Sequence, residues 1–267
     1  MRGRRLLVST VALAAVATAA TLGVRALIGE ASSTPGCTLG TGPAAVSLEP
    51  EQAADASTIA AVALRLGLPN HAVTVALAAA LQESKLYNLD YGDRDSLGVF
   101  QQRPSQGWGT PAQLVDPAYA AGAFYDHLVR VTAWETLPIS TAAQLVQHSA
   151  DGSAYVQWEE EARALARALT GEVDAGLSCQ FDEAPQPRPG PLVAAAAAQL
   201  GAQWQARDLA RGRDWATAEW LVAHAYTYGV IQVDVRGMRW TSTTGKWRAS
   251  PSAATAASYQ LAPAKSR

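Results

Sequence analysis

The sequence predicts a mainly α-helical domain followed by a small α+β domain. Three observations carry that expectation. Apolar residues recur at three-to-four spacing through most of residues 51–170. A proline-rich stretch, EAPQPRPGP, interrupts the chain at residues 183–191. Beyond two further helical runs, VIQVDV, MRWTST and SYQLA have the length and composition of short strands. With 267 residues and 49% apolar side chains, the chain has room for about two domains and is not disordered throughout.

Residues 1–30 begin with Arg2, Arg4 and Arg5 ahead of an uncharged run from Leu6 to Val24. A signal-peptide core is about 7–15 residues long and a membrane-spanning helix roughly 17–25, so this run reads as an uncleaved anchor. The leading arginines place its start in the cytoplasm and everything after Arg25 outside. Ala17-Thr18-Ala19 offers the alternative, cleavage and secretion. Residues 31–50, rich in Ser, Thr, Pro and Gly, suit a spacer. Residues 51–179 form the helical domain, in which QAADASTIAAVALRLGL, PAYAAGAFYDHLVRV, ISTAAQLVQHS and AYVQWEEEARALARAL each carry an apolar helical face. Residues 180–191 are expected to be a semi-rigid linker and residues 192–267 the α+β domain.

The two cysteines, Cys37 and Cys179, bracket the helical part. In an oxidising compartment such a pair reads as a disulfide rather than a metal site or a nucleophile. The four histidines lack zinc-like paired spacing, and the aspartates at 90, 93 and 95 lack the glycine and glutamate of a calcium loop. No metal and no cofactor are implied. Residues 51–178 carry 15 acidic against 7 basic side chains, which disfavours nucleic acid and suits a neutral or zwitterionic glycan.

The chemistry points to residues 81–104, LQESKLYNLDYGDRDSLGVFQQRP. A helix starting at Asn70 with Val73, Leu77, Ala80 and Leu81 on its apolar face ends near Glu83. A carboxyl group against an apolar wall has its charged form disfavoured, so its pKa rises and it can hold a proton for a glycosidic oxygen. The following stretch, residues 90–110, has no helical period and is long for a connection, as functional loops are.

These residues also carry a resemblance. Gln-Glu-Ser at the helix end, followed by SLGVFQQRP with Gln101 eighteen positions after Glu83, resembles the Glu-Ser pair and Gln motif of the goose-type lysozyme and soluble lytic transglycosylase superfamily. LDYGDRDSLGVFQQRPSQGWGTP looks like its actinobacterial secreted branch. The match covers about residues 51–171 and implies a lysozyme-like fold. It implies Glu83 as acid/base and a glycan groove shaped by Ser84, Ser96, Gly98, Gln101 and Gln102. The family's later Tyr-Asn pair is replaced here by QHSADGSAYVQW, where Tyr155 alone can substitute. WATAEWLVAHAYTYGVIQVDVRGMRW resembles an actinobacterial cell-wall accessory domain, distantly like the D-alanyl-D-alanine peptidase and hedgehog fold, without that fold's metal ligands. Its tryptophans read as core before they read as a sugar-stacking platform.

The resemblance implies an extracytoplasmic, membrane-anchored protein that cleaves peptidoglycan glycan strands as a lytic transglycosylase or muramidase. Its partners would be those strands and the cytoplasmic membrane, through the N-terminal segment. A non-catalytic scaffold that keeps the lysozyme fold and binds the wall is the alternative.

Overall fold

The computed structural model of the chain describes residues 35–40, 45–148, 153–181, 186–206 and 209–264. The expected anchor, residues 1–30, lies outside them. No helix among the described residues is long and apolar enough to cross a membrane.

The stretch read as a spacer contributes two strands, β1 (Gly36–Leu39) and β2 (Val46–Leu48). They pair antiparallel with β3 (Leu177–Gln180) in the order β2-β1-β3. Cys37 faces Cys179 directly across β1 and β3, and the two form the expected disulfide. The bridge fastens the start of the helical region to its end.

Helix α1 (Pro50–Arg65) is opened by a capping box, in which Glu49 and Gln52 satisfy each other's backbone N–H groups. Helix α2 (Asn70–Ser84) has every residue from Ala72 to Leu81 buried. The sequence pattern suggested one apolar face. Alanines fill the positions between the larger residues, so neighbouring helices close on α2 from all sides, as a helix apolar all round requires. It ends without glycine: Lys85 and Leu86 both adopt left-handed backbone, at φ 59° and 65°. The Leu86 N–H reaches back to the Ala80 carbonyl and its side chain is fully buried, a Schellman-type stop anchored by an apolar contact.

Around α2 pack α4 (Pro117–Leu128), α5 (Ile139–Gln147), α6 (Ser153–Val156) and α7 (Glu159–Leu169), with the short α3 (Pro111–Leu114) leading into α4. The C-terminal part supplies α8 (Pro189–Leu200), α9 (Arg211–Ala223), α10 (Ala225–Tyr228) and a four-stranded antiparallel sheet of β4 (Val230–Val235), β5 (Met238–Thr241), β6 (Lys246–Ala249) and β7 (Ser258–Leu261), ordered β6-β5-β4-β7. The chain described here is therefore mixed α+β.

The described residues from Pro35 onward form one compact unit. Helix α9 packs on α1, β3 and β4, and the buried Glu219 carboxylate accepts the N–H groups of Gly176 and Leu177 at 2.8 and 3.1 Å. Trp240 and Trp247 donate their indole N–H groups to the carbonyls of Cys179 and Leu177. Trp204, Trp215, Trp220 and Trp240 are buried, so these rings serve the core and present no stacking platform.

Candidate functional site

Glu83 lies in the last turn of α2, half-buried. Its Oε1 accepts the Tyr155 hydroxyl of α6 at 2.8 Å. Burial raises the carboxyl's pKa. The hydrogen bonds from Tyr155 and Gln147 and the charge of Lys85 pull the other way without cancelling the rise. The helix stop therefore does two jobs: it leaves Glu83 at a helix end and turns Lys85 into its neighbourhood. The Lys85 ammonium sits 4.0 Å from the centre of the Trp158 ring and donates to the Leu81 carbonyl at 3.0 Å. Trp158 is held in turn through its indole N–H by Gln82, at 2.8 Å.

The segment after α2 is braced along its length. Leu97 and Gln102 exchange both backbone hydrogen bonds, closing a tight turn over residues 98–101. Gly98 sits in left-handed backbone at φ 77°, and a Cβ there would stand 2.0 Å from the Leu114 carbonyl oxygen. Only glycine fits that approach. The Ser84 hydroxyl, buried, donates to the Val99 carbonyl at 2.7 Å, and Gln147 Nε2 donates to the Phe100 carbonyl at 2.8 Å. The turn is thus tied both to the residue next to Glu83 and to one of Glu83's own partners.

Gln101, itself left-handed at φ 49°, uses its amide on the carbonyls of Tyr91 and Gly98, each at 3.2 Å. Ser96 is buried behind it, its N–H on the Asp93 carbonyl. Gln102 is buried and donates to the Ala120 carbonyl at 3.3 Å. Asp95 accepts from Arg103 and Ser105, which hold its carboxyl well below the usual carboxylate range. The structure therefore separates the expected groove residues. Glu83 and Tyr155 touch, half-buried Gln101 borders solvent, and Ser84, Ser96, Gly98 and Gln102 set the backbone on which the turn is built.

Gln147 and Lys85 were not singled out in the sequence. Lys85 stands two positions after Glu83, so its charge is legible in the sequence. Gln147 comes from another helix, and nothing local marks it. Among the described residues, no cluster of His, Cys, Asp or Glu is arranged to hold a metal ion.

No protein-family model matches the chain, and no curated protein is detectably similar to it.

Proposed function

We propose that this chain cleaves the glycan strands of peptidoglycan outside the cytoplasmic membrane, as a lytic transglycosylase or muramidase built on a lysozyme-like helical domain, with Glu83 as its acid and base. The contact between Glu83 and Tyr155, at the end of a buried helix and beside a braced polar turn, carries the reading. The disulfide agrees with an oxidising compartment, and the segment of residues 1–30 would hold the protein at the membrane.

Burial favours the protonated Glu83, which gives its proton to the oxygen bridging two sugars as that carbon–oxygen bond breaks. The Tyr155 hydroxyl donates to Oε1 before and after transfer, and steadies the carboxylate that remains. Among the described residues, Tyr155, Gln147 and Lys85 are the side chains that most affect the Glu83 carboxyl, and none of the three is a carboxylate. A substrate-assisted route suits this arrangement better than a two-carboxylate scheme. The acetamido carbonyl of the sugar attacks its own anomeric carbon, and Glu83 then takes a proton from the incoming hydroxyl. If that hydroxyl is the sugar's own, the product is a 1,6-anhydro end; if it is water, a reducing end.

Incubating the unit from Pro35 onward with purified peptidoglycan and identifying fragments by mass spectrometry tests the reading. Anhydro or reducing ends from the parent and none from Glu83→Gln are expected, because an amide cannot supply the proton. Undiminished cleavage by Glu83→Gln overturns the site. No fragments from either protein, with binding intact, overturn the activity in favour of a wall-binding scaffold.

A further inference from the structure

A cavity of about 570 Å³ lies between the three-stranded sheet and the β5–β6 hairpin, and Glu83 is not among the residues that line it. Its floor is the face of β1 and β3 opposite the disulfide. Cys37 and Cys179 pair on the buried side, so Thr38 and Ser178, paired one step along the same register, point the other way. Gln180 shares that face and donates its amide to the Thr243 carbonyl at 3.2 Å. The facing wall is Thr244, Lys246 and Trp247 of the hairpin, with Met238 beside them. Trp247 is the exception among the C-terminal tryptophans: Trp204, Trp215, Trp220 and Trp240 are buried, and Trp247 is half-buried. Its indole N–H donates to the Leu177 carbonyl at 2.9 Å, and its ring meets that of Trp215 edge-on at 5.2 Å. The ring is therefore fixed while part of its surface stays open. Lys246 is exposed, and among the described residues no Asp or Glu lines the cavity with it.

We propose that this cavity is a second glycan site, which takes a carboxylate-bearing sugar of the muramic acid kind. Trp247 and Met238 would meet the carbon–hydrogen face of the sugar ring, and Lys246 would donate to its carboxylate. The Thr38 and Ser178 hydroxyls, side by side on the floor, would meet its hydroxyl groups. The cavity's volume lies within the usual range for small ligands, and an aromatic wall with a few placed polar groups is the ordinary composition of such sites.

The parts of the wall select together. A small anion without a ring would engage Lys246 and leave Trp247 and Met238 against water. A neutral sugar would engage the ring and the hydroxyls and leave the ammonium without a counter-charge. One ammonium with no acid beside it matches one negative charge, as a carboxylate carries, and a charge-assisted hydrogen bond of this kind is about twice as strong as a neutral one. The turn that carries Lys246 is held in place: the Thr241 and Thr244 hydroxyls bond each other at 2.8 Å, and Gly245 lies so close to β3 that a Cβ there would stand 2.7 Å from the Gln180 Cβ. The ammonium is thus carried on a braced hairpin that faces the hydroxyls of the floor.

The probes are N-acetylmuramic acid, N-acetylglucosamine, which lacks only the lactyl ether and its carboxylate, and D-lactate, titrated into the ¹⁵N-labelled full chain and followed by NMR. The Trp247 indole N–H signal, assigned by its loss in Trp247→Phe, should shift with N-acetylmuramic acid and saturate as a single site. N-acetylglucosamine and D-lactate should each bind there at least tenfold more weakly. Lys246→Gln should weaken N-acetylmuramic acid about tenfold, to the level of N-acetylglucosamine, and leave N-acetylglucosamine unchanged. Lys246 is exposed, so this variant probes the site without disturbing the core. An unmoved Trp247 signal, equal binding of either comparison compound, or full binding by Lys246→Gln overturns the proposal. None of the three probes contains a bond between two sugars, so these results do not depend on whether Glu83 cleaves glycan.

Discussion

Replacing Asp55 by Asn should make the protein more stable at neutral pH, and more so as pH rises. The Asp55 carboxyl is raised from 3.8 to about 8 by burial, then by the Glu51 charge, against the pull of the Asn88 backbone N–H. The folded chain therefore binds this proton more tightly than the unfolded chain. Its contribution is fully present below pH 3.8 and is lost as pH rises towards 8. Each pH step between those values costs the parent about 1.4 kcal/mol, so about 3 kcal/mol disappears from pH 5 to pH 7. Asn keeps the shape, cannot ionise and loses nothing over that interval. Glu83 and Glu219 also titrate high, but they do so equally in both proteins and cancel in the difference. Urea unfolding of the two proteins at pH 5, 6 and 7, followed by tryptophan fluorescence, measures that difference directly. Curves that stay parallel, with no growing advantage for Asp55→Asn, would refute the assignment of a buried, protonated Asp55.

Tyr155→Phe removes a hydrogen bond that lowers the Glu83 pKa, so the alkaline limb of the cleavage profile should move to higher pH while the maximal rate falls about tenfold, as pH–rate curves would record. Gly98→Ala places a Cβ 2.0 Å from the Leu114 carbonyl oxygen and forces left-handed backbone on alanine, so it should cost roughly 2–4 kcal/mol in urea unfolding and lower activity with it. Replacing both Cys37 and Cys179 by serine opens a loop spanning 142 positions, and the chain-entropy argument gives a loss of about 5 kcal/mol, readable as a lower midpoint matched by the parent in reducing agent.

The helices and strands were legible in the sequence because their signals are local. The apolar helical spacing of QAADASTIAAVALRLGL announces α1, and the length and composition of VIQVDV announce β4. The disulfide was legible because only two cysteines exist to form it. Hidden were the features that need two distant segments. β1 and β2 are too short and too polar at their flanks to stand out, and exist because β3 supplies a partner from 142 positions away. The C-terminal segment reads as a separate domain by its proline-rich border, yet the Glu219 carboxylate and the Trp240 indole bind the backbone of the preceding segment. At the site, the helix-end position of Glu83 was visible, but that the Gln147 amide comes from α5 to meet it was not.

Glu83 and Asp55 show how one cause leads to two chemistries. Burial is the largest influence on each, and it favours the proton in both cases. What differs is the company. Glu83 is met by a phenol, an amide and an ammonium, all of which support its carboxylate, so the group can give a proton away and hold the resulting charge. Asp55 is met by Glu51 and by a single backbone N–H, so its carboxylate has too little support from the protein alone. A proton-transfer site needs donors built into the fold, because both of its charge states must survive within one turnover. A buried carboxyl without such donors stays protonated instead. On that argument the donors around Glu83 suit the reacting role proposed for it, whereas Asp55, which lacks them, keeps its proton.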